Sequence, residues 1–115
     1  MAACAVPETE LCVYQGDTAL FRFTITEDGT PADLTGKVFL MQIRSRDADS
    51  STVLADLPYT VTGNQVDFTL SGEASRYLPG GVLRWDTQMS DPGGTSVLTF
   101  ARGPVSVIPE VSRVD

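Results

Sequence analysis

The stretch Arg84-Trp85-Asp86-Thr87-Gln88-Met89-Ser90-Asp91 sets two carboxylates around the chain's single tryptophan. Two acids converging within about 5–10 Å on one substrate is the arrangement of glycosidic acid-base chemistry. On an extended strand, however, successive side chains alternate, so Asp86 shares a face with Arg84 and Gln88 while Trp85 turns to the other. Asp91 follows in Asp-Pro-Gly-Gly, where Asp before Pro opens a turn. The spacing predicts a hairpin with a polar outer ladder, not a paired-carboxylate site.

Other reaction chemistries are excluded residue by residue. Histidine is absent, which removes Ser-His-Asp and Cys-His nucleophile systems in their common forms. Cys4 and Cys12 cannot build a tetrahedral zinc site without imidazole and are read as free thiols. Asp47 and Asp49 begin like a calcium loop, but the turn-glycine position holds Thr52 and the twelfth position holds Pro58, so an acidic hairpin tip is expected. The Pro-Gly-Gly runs at 79–81 and 92–94 lack the Lys-Ser/Thr of a phosphate loop. The residues therefore predict no catalytic, metal or cofactor-binding site and no enzyme.

Charge narrows the partners. Eight Lys and Arg stand against fifteen Asp and Glu, a net charge of -7, and the basic residues form no run. Such a field repels phosphate backbones, so no nucleic acid is expected. No stretch approaches the ~18 apolar residues of a membrane helix. The Met1-Ala2-Ala3-Cys4 start has the cysteine of a lipoprotein signal without its basic and apolar regions, and a chain made in a cytoplasm is expected. A length of 115 residues suits one domain, 1–115, with short flexible N- and C-terminal extensions and a core needing no staple.

The elements that place these residues follow a period of two. Ala19, Phe21, Phe23 and Ile25 share one face, as do Phe39, Met41 and Ile43, then Val66, Phe68 and Leu70, then Leu83, Trp85, Thr87 and Met89. Further strands are expected at 10–14, around 53–61, at 96–101 and at 104–109. Asp28-Gly29, Thr62-Gly63-Asn64 and the 90–95 run supply turns between them. Ser71 suits an N-cap and Pro79-Gly80 a stop, predicting one short helix near 71–78, with Tyr77 and Leu78 plugging an end of the core. The fold class is all-β: an Ig-like antiparallel β-sandwich of seven to eight strands with that helix.

Several strands are apolar on both faces. Leu20 stands opposite Phe21, Val38 and Leu40 opposite Phe39 and Met41, and Val82 opposite Leu83. A sandwich sheet has one solvent face, so Leu20, Val38, Leu40 and Val82 are the candidate partner interface, unless loops or the N-terminal segment cover them.

The order of the turn and strand signals resembles a known group. Gly16-Asp17, Asp28-Gly29, Asp33-Leu34-Thr35-Gly36, Trp85-Asp86-Thr87-Gln88, Asp91-Pro92-Gly93-Gly94 and Arg102-Gly103-Pro104-Val105 are similar in order and spacing to the Ig-like domains of tailed-phage virion proteins. Among these are the N-terminal domain of baseplate upper proteins and small head or tail accessory proteins. The resemblance spans about residues 14–108 and implies a non-enzymatic structural role in a virion. In baseplate upper proteins the domain anchors a longer chain bearing receptor-binding modules. Here the chain ends at Asp115, which leads to the expectation of a capsid cement or decoration protein. A small tail, baseplate or neck adaptor is the alternative, and a carbohydrate-binding β-sandwich module is the alternative of another class. Expected partners are the major capsid protein or tail and neck subunits, with a homo-oligomer, dimer or trimer, assembled in the host bacterial cytoplasm.

Overall fold

The computed structural model describes residues 8–45, 52–94 and 96–109, and the alternating segments become strands with their apolar faces turned to each other. In chain order these are β1 (Leu11–Tyr14), β2 (Ala19–Thr24), β3 (Thr26–Glu27), β4 (Thr30–Pro31), β5 (Val38–Arg44), β6 (Val53–Asp56), β7 (Tyr59–Thr62), β8 (Gln65–Leu70), helix α1 (Gly72–Arg76), β9 (Gly81–Ser90) and β10 (Val97–Ile108). A five-stranded sheet in the order β1-β10-β9-β5-β6 packs on a three-stranded sheet in the order β2-β8-β7, while β3 and β4 form a separate hairpin. The eight sandwich strands match the expected number. One pairing departs from the antiparallel expectation: β1 runs parallel to β10, Leu11 beside Val105 through Tyr14 beside Ile108.

Phe39, Met41 and Ile43 of β5, Val66, Phe68 and Leu70 of β8, and Leu83 and Trp85 of β9 are all buried between the sheets. Each large apolar side chain so buried contributes about 1.5–3 kcal/mol. Phe23 of β2 centres the contact, its ring 5.8 Å from both Phe68 and Trp85 and 5.7 Å from Phe100. Antibody domains pin their two sheets with a disulfide between the second and sixth strands. Here the Phe23–Trp85 contact joins β2 to β9, and Cys12 is free and exposed.

Turn chemistry acts where it was expected. Asp28 and Gly29 both have positive φ, 51° and 81°, which is the type I′ signature between the paired Thr26–Pro31 and Glu27–Thr30. Ser71 caps α1 by accepting a hydrogen bond from the Ala74 amide at 3.0 Å.

Two details differ from the sequence reading. Leu78 plugs the core, but Tyr77 is 79% exposed. Ser75 of α1 and Leu78, just past the helix, are buried against the sandwich, while Tyr77, the C-cap residue between them, is left exposed. The strands expected separately at 96–101 and 104–109 are one strand, β10, bent by a bulge between Thr99 and Ala101. Gly103 and Pro104 both continue the strand, opposite Trp85 and Arg84. The glycine is required there because the N-terminal chain crosses it. A Cβ at 103 would drive into the Thr9 carbonyl and stand 2.9 Å from the Thr9 N and C atoms. Cys4, the Asp47 and Asp49 tip and the two terminal extensions lie outside the described residues.

Candidate interaction surface

The outer face of the five-stranded sheet is built by strand register. Because Leu83, Trp85 and Thr87 are buried, Val82, Arg84, Asp86, Gln88 and Ser90 of β9 face outward. One row across the sheet runs Cys12–Ser106–Val82, with Tyr14 beside Ile108 next to it. At the other end a row runs Val97–Ser90–Val38, with Thr99–Gln88–Leu40 alongside. Tyr14, Val82, Ile108, Val38, Leu40 and Val97 are all exposed. The face therefore carries two apolar clusters. Val82 and Ser90 are eight residues apart on β9, which puts the clusters about 26 Å from each other at about 3.3 Å per residue.

Between the clusters lies a polar band. Arg102, Asp86, Gln42 and Asp56 stand side by side on four strands. The Gln42 amide donates to Asp56 Oδ1 at 2.7 Å, and Arg44 donates to Gln42 Oε1 at 3.0 Å. Arg84 pairs with Glu8 at 2.9 Å. Arg44, Arg84 and Arg102 thus lie among Glu8, Asp56 and Asp86, so the band is charge-balanced within an acidic chain.

The four residues expected at an interface are all exposed, but they do not share one face. Val38 and Leu40 lie in one cluster and Val82 in the other. Leu20 is on β2 in the three-stranded sheet, beside Thr69 and next to the Arg22–Asp67 ion pair. Its outer neighbours Thr24, Gln65, Asp67 and Thr69 are polar, so Leu20 is a single exposed leucine of the kind any soluble surface carries. Sequence reasoning missed Tyr14, Val97, Leu98 and Ile108. A signal was present at Val97 and Leu98 of β10, which are apolar on consecutive, opposite faces, the same pattern that singled out Val38 and Leu40.

The acids around Trp85 are held apart. Asp86 belongs to the outer band, while Asp91 starts the β9–β10 turn, donating its amide to Ser96 O and accepting from Gly94 N. The Asp91 carboxylate lies 2.6 Å from Lys37 Nζ and holds that ammonium above the usual lysine range. The Trp85 indole N–H is used inside the fold, donated to Thr9 O at 3.0 Å.

A surface cleft of about 640 Å³ opens between the β4–β5 loop and the β7–β8 turn. Its polar groups are already engaged: Asp33 accepts from the Thr35 amide, Lys37 pairs with Asp91, and Asn64 donates to Ile25 O. Thr35 holds the Asp33 carboxyl below its ordinary range. Among the described residues there is no cluster of His, Cys, Asp and Glu arranged to hold a metal ion, and no helix long and apolar enough to cross a membrane.

Two packed sheets with the first strand parallel to the last and an aromatic contact between them define an Ig-like β-sandwich domain. No family model matches the chain, and no curated protein matches it by sequence. Among solved structures it is similar to the N-terminal domain of phage TP901-1 ORF48, with a TM-score of 0.51 at 12% identity over 89% of this chain and 85% of that one. An extracellular domain of the voltage-gated sodium channel beta4 subunit, described as a parallel homodimer in cell-cell adhesion, matches with a TM-score of 0.46 at 10% identity over 90% and 93%. At such identities the likeness is one of fold.

Proposed function

We propose that this chain is a non-enzymatic structural protein of a tailed-phage particle, a capsid cement or decoration protein that joins neighbouring virion subunits. The observation that carries the reading is the division of one sheet face into two apolar clusters about 26 Å apart, on either side of an internally paired polar band. Exposed apolar clusters rimmed by polar residues are contact sites. Two of them on one rigid sheet let a small domain grip two neighbours at once, which is what a cement does. The fold shared with a phage domain and the tailed-phage order of turn motifs support the setting. Catalysis finds no support, because the acids near Trp85 are separated and Asp91 is committed to Lys37.

The test alters one end at a time. Val38→Asp with Leu40→Asp, and separately Val82→Asp, place uncompensated charge in a contact and should each cut incorporation into particles by about thirtyfold or more. All three positions are exposed, so melting of the free domain should not change. Normal incorporation of both variants would remove the clusters from the contact.

A further inference from the structure

β7 is an edge strand with one open side. In the three-stranded sheet it pairs only with β8, because β6, which precedes it, belongs to the other sheet. Pro58 O accepts from the Thr69 amide at 3.0 Å, which fixes the parity of the ladder. Alternate pairs of an antiparallel ladder exchange bonds, so Thr60 with Asp67 and Thr62 with Gln65 are the bonded pairs. Tyr59 and Val61 therefore turn their N–H and C=O groups away from β8, and among the described residues no hydrogen bond reaches them. The surroundings of this edge, β6, Leu57, Pro58, β8 and the 31–37 loop, all lie within the described residues. The cleft beside that loop reaches Val61 and Gly63, and Val61, although on the inner face with Val66, is 40% exposed.

Backbone groups on such an edge are a template for another strand, which proteins block with charge, proline or a bulge. β2, the other edge of the same sheet, carries Arg22, while β6 ends in Asp56 and pairs through a register shift at Ile43 and Arg44. Tyr59-Thr60-Val61-Thr62 has no charge, no proline and an unshifted register, and its Thr-Val-Thr run is β-branched throughout.

We propose that β7 is the seam on which a second copy of the chain docks, the two strands pairing antiparallel about a two-fold axis at Thr60. Tyr59 then exchanges both backbone bonds with the partner's Val61, and Val61 with the partner's Tyr59, so every open group on both strands finds a partner and the assembly closes as a dimer. An axis at Tyr59 would call on Leu57, whose amide already serves Met41 O, and one at Val61 would call on Gly63, whose φ of 61° has left the strand. Charge also suits a second copy. The outer row across the joined sheets reads Arg22–Asp67–Thr60 and then the same residues in reverse. The two Asp67 carboxylates stand about 14 Å apart, beyond the screening length of about 8 Å, and each is paired with its own Arg22 at 2.9 Å. A chain of net charge -7 thus meets itself with no like charges in contact. The seam lies in the sheet that does not carry the two apolar clusters, so the dimer does not depend on the virion reading and either can fail alone.

Sedimentation of the full chain over about 1 μM to 1 mM, concentrations spanning the weak to moderate affinities of small interfaces, should show a monomer–dimer equilibrium. Thr60→Lys should raise the dimer Kd at least about tenfold, by setting two ammonium groups opposite each other, without lowering the melting temperature, since Thr60 is exposed in the free chain. Hydrogen exchange gives the parity directly: the Tyr59 and Val61 amides should exchange freely in dilute protein and gain protection as concentration rises, whereas those of Thr60 and Thr62 should be protected throughout. In a Cys4→Ser, Cys12→Ser background, Thr60→Cys should oxidise to a covalent dimer, because opposed Cα atoms of such a pair lie about 4.5 Å apart. Thr62→Cys on the same strand should stay monomeric, its two copies being offset by about 13 Å along the seam. A monomer throughout the range, or a dimer indifferent to Thr60→Lys, overturns the proposal. So do Tyr59 and Val61 amides that are protected at every concentration, since the chain itself would then occupy the edge.

Discussion

Replacing Gly103 with alanine should detach the N-terminal chain from β10. The added Cβ has no room: it would collide with the Thr9 carbonyl and approach the Thr9 N and C atoms to 2.9 Å, all of them backbone. Thr9 must move, and two hydrogen bonds go with it. The bond from Thr9 N to Arg102 O, 3.0 Å long, contributes about 1 kcal/mol. The Trp85 indole N–H, donated to Thr9 O at 3.0 Å, is left without its acceptor in a residue only 2% exposed, at a cost of about 1–3 kcal/mol. The sum is about 2–4 kcal/mol, a large share of the roughly 5–15 kcal/mol that stabilises a domain. Urea unfolding followed by the fluorescence of Trp85, the single tryptophan, reads this directly. With a slope near 2 kcal/mol/M the midpoint should fall by about 1–2 M. Hydrogen exchange should show the β1 amides losing protection before the rest of the sheet. Gly80→Ala is the control, since its Cβ would come nearest the Pro109 ring, 3.2 Å away, with the Val107 carbonyl at an ordinary 3.8 Å, and should cost less than about 1 kcal/mol. A Gly103→Ala midpoint within about 0.3 M of the parent, with β1 still protected, would refute the reasoning. The variant also bears on function, because β1 carries Cys12 and Tyr14 of one apolar cluster.

Ser75→Ala should lower stability by about 1–3 kcal/mol, measured by thermal or urea unfolding. The buried hydroxyl accepts from Gly16 N at 2.9 Å and donates to Asp17 O at 2.8 Å, tying α1 to the β1–β2 turn. Stability should be flat between about pH 5 and 10 and decline outside that window. The hydrogen bond from Arg22 holds the Asp67 carboxyl below its ordinary range, and Thr35 does the same for Asp33. Their contributions are present above the unfolded value of about 3.9 and are lost as pH falls through the lower folded values. Lys37, raised by Asp91, contributes below about 10.4 and loses its contribution as pH rises through its higher folded value. Asp67→Asn should flatten part of the acid limb in a pH series of melting temperatures, and an unchanged limb would discount the Arg22 pair.

The features readable from sequence were those set by neighbours along the chain. Alternation identified Phe39, Met41, Ile43, Val66, Phe68, Leu70 and Trp85 as core because a strand's period of two is local. Asp28-Gly29 and Ser71 were readable for the same reason: a type I′ turn and an N-cap are decided within four residues. What lay beyond reach depends on which strands become neighbours. Leu20 and Leu40 have the same local pattern, yet one lies in the β2 sheet and the other beside Gln88 in the β5 sheet. The parallel docking of β1 on β10 and the pairing of Lys37 with Asp91, 54 positions away, are also products of topology. The need for glycine at 103 was out of reach for the same reason: it serves a backbone crossing whose partner, Thr9, is remote in sequence.

The central claim, that this domain is a virion component joining subunits, is tested most directly by counting it in particles. Particles of a phage encoding the chain would be purified by density gradient, their heads and tails separated, and its peptides quantified by mass spectrometry against the major capsid protein. The account predicts a fixed ratio of this chain to capsid protein that stays with the heads through repeated gradients. A fixed ratio in the tail fraction would make it an adaptor and contradict the cement role, and its absence from washed particles would contradict the virion assignment itself.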